Sequence, residues 1–430
     1  MTLKFFTILG IFLISIAFIR FGISIDRAIQ IGQGYESIQG ELLANFPMYF
    51  ILENYNMELY NSVKSSGGTW FEGGWFYGPM HHMAHIPLLI VANSIQGFFN
   101  ILLLLYVISF ISFLYIFSKY FFKDYDKLFF VYIIALTMGN FSFLENIQQR
   151  NSELLEFLLL FIALFAAKHN RSMVLGVSLS SAFLVKLLPI IFFPYLILKK
   201  HYKAALYYTI FVTIISVLTG SILGWDNWKL LSSMSEHGMP TIGKILDNQL
   251  FSDISQQRGS FYTFILSFIS DVEVTNQATI VKYSFTYIGV INWLFIIICL
   301  ILSTLTARIV YLNKKDVFFD FALITTLMLI VYPRVNPHYY IFALFGIYYV
   351  TYIFFQYKEI NKKNIINILL YLVILFLLGE FIPFSIINHI FDLNYPFFHF
   401  IASYGIQGFG VFLLWYLLIL VAPVKLLKRE

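Results

Sequence analysis

The chain has 430 residues, of which 59% are hydrophobic, 20% aromatic and only 12% charged, against about 25% charged residues in an ordinary soluble domain. A water-soluble globule is excluded, because lipid must solvate apolar surface that no soluble core of this size could hide. The net charge of +5 does not indicate nucleic acid, since the basic residues fall in short clusters between apolar runs and not along one face. The single cysteine, Cys299, lies within such a run and excludes an intrachain disulfide and a cysteine metal site.

The composition predicts an all-α, polytopic transmembrane protein. With about 17 to 25 residues needed per span, the apolar runs fall near 4–22, 97–118, 128–143, 152–167, 172–186, 188–199, 204–223, 283–307, 317–332, 339–356, 365–384 and 398–423, about twelve in all. The first run has no small-residue cleavage site behind it and reads as a retained span. The whole of 1–430 reads as one integral membrane domain. Placing the N-terminus inside puts 18 basic and 6 acidic residues on one side, and 10 basic and 17 acidic residues on the other. That asymmetry follows the positive-inside rule and predicts a plasma or inner membrane protein with both termini cytoplasmic. The inner loops are brief and basic. The outer face carries two long segments, 23–96 and 224–282, and loops of this length are uncommon unless functional. The active site is therefore expected on the outer face, beneath these segments.

The first outer segment opens with Asp26 and Arg27. Further on, apolar residues at 42, 43, 46, 49, 50 and 52 approximate a helical stripe, which predicts a short amphipathic helix with Glu41 at its N-terminus. Glu41 there either favours the positive helix end or serves chemistry. Next comes Trp70-Phe71-Glu72-Gly73-Gly74-Trp75-Phe76-Tyr77-Gly78-Pro79, followed by His81, His82 and His85. The histidine spacing lacks the glutamate of a zincin motif, so no metal is expected, and these rings read as polar tips at the water interface.

Between the third and fourth runs, Asn140 to Glu153 holds several amides together with Glu145, Gln148, Gln149, Arg150 and Asn151. That is more polarity than ending a helix requires, and it suggests the lining of a polar cavity. Glu153 and Glu156, three apart, read as partners of Arg150 or as helix caps. The fifth run ends at Lys186 in an otherwise apolar stretch. A lysine there is costly in lipid: it either snorkels to the interface or marks a site for an anionic ligand. The last cluster is Tyr332-Pro333-Arg334-Val335-Asn336-Pro337-His338-Tyr339, whose two prolines hold Arg334, Asn336 and His338 in a tight turn. Arg334 and Lys186 suit a phosphate, with arginine supplying the forked geometry.

The order of these motifs resembles glycosyltransferase family 87, within the GT-C superfamily of polyprenyl-phosphate-sugar-dependent membrane enzymes. The resemblance rests on Glu41, on Phe76-Tyr77-Gly78-Pro79 with Pro87, on Gln149-Arg150-Asn151, on Lys186-Leu187-Leu188-Pro189 and on Asn336-Pro337-His338-Tyr339. It implies inverting transfer of a hexose or pentose, mannose among them, from a polyprenyl-phosphate donor to a glycan, glycolipid or lipid acceptor, with no cofactor and no metal. Glu41 would be the base, with Asp26 as the second choice because the family usually has aspartate at this position. Lys186, Arg334 and Arg150 would hold the donor phosphate, and Tyr77, Gln149, Asn151, Asn336 and His338 the sugar or acceptor. The competing functions are transport or flipping of a lipid-linked glycan, and ligation or polymerisation of such glycans. The clustering of ionisable residues at span ends speaks for surface chemistry over a conduction path.

Overall fold

A computed structural model of the chain describes residues 2–33, 87–88, 90–92, 95–121, 127–149, 151–223, 260–267, 272–274, 279–281, 288–314, 316–332, 335, 337–356, 362–378 and 405–421. The described part is helical apart from one antiparallel hairpin, Val272–Val274 (β1) with Thr279–Val281 (β2), in which Val272 faces Val281. Helical residues occupy each of the apolar runs. By length and composition, three described stretches are long enough to cross a bilayer, Tyr202–Ile222, Trp293–Leu312 and His338–Phe355, with a bent helix pair as a fourth. The remaining apolar helices of 10–17 residues fall short of the roughly 20 residues that about 30 Å of hydrocarbon requires. The candidate amphipathic helix beginning at Glu41 and the histidines of 81–85 lie outside the described residues.

The described helices group into two compact units, the first drawn from residues 1–139 and 143–237 and the second from 140–142 and 238–430. In the first, α1 (Thr2–Gln33) runs past its expected end through Asp26 and Arg27, and stops one residue before Gly34. No proline or glycine interrupts it between Gly22 and Gly32, so the helix ends where the glycines begin. Asp26 therefore stands on an exposed helical position and not in a loop.

Helix α2 spans Ile95–Phe121, and α3 (Lys127–Gly139) is followed by α4 (Phe141–Gln149) across a 54° bend at Asn140. Gly139 and Asn140 are the residue types that end helices. The carbonyl freed at Gly139 accepts a hydrogen bond from Arg20 Nη1 at 2.6 Å, while Gln148 Nε2 donates to Ser24 Oγ at 2.9 Å. Phe21 stacks on Phe143 with ring centroids 6.4 Å apart. One turn of α1 thus brackets the bend and satisfies the backbone group it exposes, which hydrocarbon cannot do.

Helices α5 (Glu153–Lys168) and α6 (Ser172–Val185) form an antiparallel hairpin whose turn is made by Asn170 in the left-handed region (φ 56°) and closed by Arg171 N–H on Ala166 O at 2.8 Å. Phe113 and Phe117 of α2 meet Phe157 and Phe161 of α5 with centroid separations between 4.4 and 5.7 Å. After Lys186 the chain continues through a 3₁₀ turn (Leu188–Ile191), α7 (Phe192–Leu198) and α8 (Tyr202–Leu223). Helix α8 crosses α6 at Gly176, where a Cβ atom would stand 2.3 Å from Ala204 O and 2.8 Å from Tyr207 Cβ. Close backbone approach at a small residue is how helices associate in lipid, where packing replaces the hydrophobic effect.

The second unit adds α9 (Phe261–Ser267), α10 (Ile288–Leu312), α11 (Val317–Val331), a 3₁₀ segment (Pro337–Ala343), α12 (Leu344–Phe355), α13 (Lys362–Leu377) and α14 (Ile406–Val421). Helix α11 is buried from Phe318 to Ile330 and packs against α10, α12 and α14. Asp316 caps its N-terminus, accepting from Phe319 N–H at 3.0 Å and from the Tyr349 hydroxyl at 2.7 Å, while Asn313 Nδ2 donates to buried Asp320 at 2.6 Å. Short helix α9 lies against the start of α14, where Gly405 adopts φ +63°.

Replacing Gly176 with valine will force α6 and α8 apart. The expected loss is about 1–3 kcal/mol of stability, checked by thermal or denaturant unfolding of the purified protein in detergent, with Gly22→Val as the control because nothing lies within 4 Å of its Cβ position.

Candidate active site

The polar cluster in the first unit grows from two helix ends. Helix α4 closes with Asn151 N–H bonded to Asn146 O at 3.1 Å, and α5 begins two residues later at Glu153. Asn146, Asn151, Ser152, Glu153 and Glu156 are all buried. Helix α6 ends at Val185, and Lys186 at its C-terminus turns to an extended backbone (φ −151°, ψ 143°) while its N–H still reaches Ala182 O at 3.2 Å. Because α5 and α6 run antiparallel, the positive N-terminus of one lies beside the negative C-terminus of the other. An acidic residue at the first end and a cation at the second are each favoured by the helix dipoles.

The Lys186 ammonium donates to Glu153 Oε1, and both side chains are almost completely buried, at 1% and 0% exposure. The lysine is therefore held inside the protein and does not snorkel to the interface. Such a pair survives burial only because each charge neutralises the other, and loss of one partner leaves the other without compensation. One helical step further on, Glu156 is also fully buried, and neither of its oxygens has a hydrogen-bond partner among the described residues. The hydroxyl of Ser152 is likewise buried without a partner and does not cap the helix, although it stands at the N-cap position. A second buried carboxyl group thus lies one helical step from the pair, and the ammonium bonds Glu153.

Of the residues expected to form the site, Asn151 and Lys186 belong to this cluster, Asn151 lying two positions before the lysine's partner. Gln149 is the last residue of α4. Asp26 stands at an exposed position of α1. His338 belongs to the second unit, where it is buried in the 3₁₀ segment with its ring 4.8 Å from that of Tyr339. Glu41, Tyr77, Arg150, Arg334 and Asn336 lie outside the described residues. The sequence reading linked Glu153 to Arg150 or to a cap and did not join it to Lys186. A signal for that pairing exists: Glu153 and Lys186 stand 17 and 16 residues on either side of Asn170, and an antiparallel hairpin brings equidistant positions together.

Apolar helices long enough to cross a bilayer, with charged groups paired in the interior at helix ends, define an integral membrane protein with a polar site inside its helical frame. Residues 75–333 match the model of glycosyltransferase family 87, and the chain belongs to that family: it is a membrane glycosyltransferase. No curated protein matches significantly. The matched segment contains the α5–α6 hairpin with Glu153, Glu156 and Lys186, together with Tyr77, Gln149, Arg150 and Asn151. Asp26 and Glu41 precede it, and Arg334, Asn336 and His338 follow it.

Lys186→Met, which strands the buried Glu153 carboxylate, is expected to cost about 3–5 kcal/mol, and the double change Lys186→Met/Glu153→Met to recover most of that loss. Unfolding of the wild type, Lys186→Met, Glu153→Met and the double variant in lipid nanodiscs gives the coupling directly.

Proposed function

We propose that this glycosyltransferase moves a sugar from a polyprenyl-phosphate-linked donor to a glycan, glycolipid or lipid acceptor at the outer face of the membrane, with inversion at the anomeric carbon. The observation that carries the reading is Lys186, a buried ammonium at the end of an apolar helix inside the family-matched segment. An anionic headgroup on an apolar tail is the substrate chemistry that a membrane-embedded cation suits. The excess of basic residues on the opposite side supports the outer location.

The chemistry follows from what each group can do. The acceptor hydroxyl attacks the anomeric carbon of the donor as a carboxylate takes its proton. The new bond forms between the acceptor oxygen and that carbon, and the bond from the carbon to the phosphate oxygen breaks with its electron pair. The departing polyprenyl phosphate gains negative charge, which Lys186 and Arg150 stabilise. Glu153 keeps Lys186 charged and in place before the donor arrives. Glu41 is the proposed base and Asp26 its alternative; Arg334 is assigned to the phosphate, and Tyr77, Gln149, Asn151, Asn336 and His338 to the sugar or acceptor, on motif order. No metal is needed where two cations neutralise one monophosphate.

The test is transfer of radiolabelled sugar from a panel of polyprenyl-phosphate sugars by the purified protein in lipid. Glu41→Gln is expected to lower turnover by about 10²–10⁴-fold with donor binding unchanged, because it removes a base and keeps the shape. Full activity in Glu41→Gln, with loss in Asp26→Asn, moves the base to Asp26; turnover with no donor in the wild-type protein rejects the polyprenyl-phosphate donor. The refolded double variant Lys186→Met/Glu153→Met is expected to bind donor at least tenfold more weakly, and unchanged affinity removes Lys186 from the phosphate site.

A further inference from the structure

The mechanism uses Lys186 and Glu153 but leaves two neighbouring polar groups without a task. Glu156 is 0% exposed and Ser152 1%, and neither the carboxylate oxygens of the first nor the hydroxyl of the second meets a hydrogen-bond partner among the described residues. Residues four apart share one face of a helix, so Ser152 at the N-cap and Glu156 in the first turn of α5 stand on one side, with Glu156 N–H bonded to Ser152 O at 3.1 Å. Ser152 is of the type that ordinarily caps a helix, yet its hydroxyl makes no cap bond. Buried polar groups are almost always satisfied, and unsatisfied ones in a native protein call for a ligand, a water or a catalytic role.

The surroundings decide what ligand fits. A further anion at Glu156 itself is disfavoured, since the one ammonium nearby already faces Glu153 and, in the proposed reading, the donor phosphate. A metal ion is disfavoured by the Lys186 ammonium, and among the described residues no group of three or more His, Cys, Asp or Glu side chains could hold one. What remains is a neutral donor of hydrogen bonds. Two carboxylate oxygens offer a paired acceptor for two adjacent hydroxyls, and the serine hydroxyl can donate or accept beside them.

We infer that Glu156 and Ser152 form a subsite for vicinal hydroxyls of the sugar ring carried by the donor. The inference rests on the proposed donor: a phosphate drawn to Lys186 carries its sugar next to the phosphorus, and Glu156 lies about 4.5 Å along α5 from Glu153 at 1.5 Å per residue, a displacement of about one sugar ring. Glu156 would then select among sugars while Lys186 holds the lipid phosphate common to all of them.

The experiment measures equilibrium binding to the full-length protein in lipid nanodiscs of bare polyprenyl phosphate and of polyprenyl-phosphate mannose, glucose, galactose and arabinose. The wild-type protein is expected to bind at least one sugar-bearing lipid at least tenfold more tightly than the bare lipid. Glu156→Gln and, independently, Ser152→Ala are expected to reduce that preference at least tenfold for Glu156→Gln and at least threefold for Ser152→Ala, with affinity for the bare lipid unchanged within twofold. Their unliganded melting temperatures are expected to stay level or rise, because an unsatisfied buried group has been relieved or removed. A preference that survives both changes shows that water alone occupies the subsite and overturns the inference, as does a parallel loss for bare and sugar-bearing lipids accompanied by a lower melting temperature. Where Glu156→Gln does not fold, Ser152→Ala decides by the same criterion. Wild-type protein that binds the bare lipid without any sugar preference rejects the subsite alone, whereas failure to bind any of these lipids rejects the donor reading and the subsite with it.

Discussion

The ion pair between Glu153 and Lys186 is the constraint on which the first unit depends. Neither charge is tolerable alone in a water-free interior, so the start of α5 and the end of α6 are obliged to meet. That requirement sets the register of the hairpin, because sliding one helix past the other by a single turn would separate the charges by about 5 Å. The left-handed turn at Asn170 holds the same register, and the close crossing at Gly176 fastens α6 to α8. The aromatic cluster of Phe113, Phe117, Phe157 and Phe161 fastens α2 to this hairpin, each well-placed ring pair adding about 0.5–1.5 kcal/mol.

The same logic governs the other polar groups set into apolar helices. Arg20 answers the carbonyl left open where α3 ends at Gly139, and Ser24 answers Gln148 one turn beyond the bend. In the second unit, Asn313, Asp316 and Tyr349 meet at the N-terminus of α11, where the free N–H groups of a helix otherwise lack partners. Each of these charged or amide side chains carries a backbone or side-chain obligation that lipid cannot discharge. Against that pattern, both side-chain oxygens of buried Glu156 lack a hydrogen-bond partner among the described residues.

Much of the frame was legible from composition. Long apolar runs demand helix, since a backbone in lipid has no other way to satisfy itself, and helix is found in each run. The apolar run places the end of α1 before Asp26 and Arg27, whereas the helix continues through both, because charged residues continue a helix readily where no glycine or proline intervenes. The two-stranded hairpin at Val272–Val274 and Thr279–Val281 was missed, because three-residue strands carry too little alternation to register. Lys186 reads from sequence as a residue costly in lipid, and the structure buries it against Glu153, a partner the sequence reading does not name.

What the sequence determined by itself is the solvent the protein is built for, the helical character of its runs, the family to which it belongs and the positions where charge interrupts apolar chain. These are properties of composition and motif order, and they need no knowledge of contacts. What the tertiary structure decided is which charge answers which. Pairing Glu153 with Lys186 across 33 positions, and leaving the carboxyl oxygens of Glu156 without a hydrogen-bond partner among the described residues, depends on where the turn at Asn170 falls and on how closely α6 approaches its neighbours. Distance in the chain carries no such information, since a buried charge is stabilised by whatever stands within hydrogen-bond reach, and only folding brings those groups together.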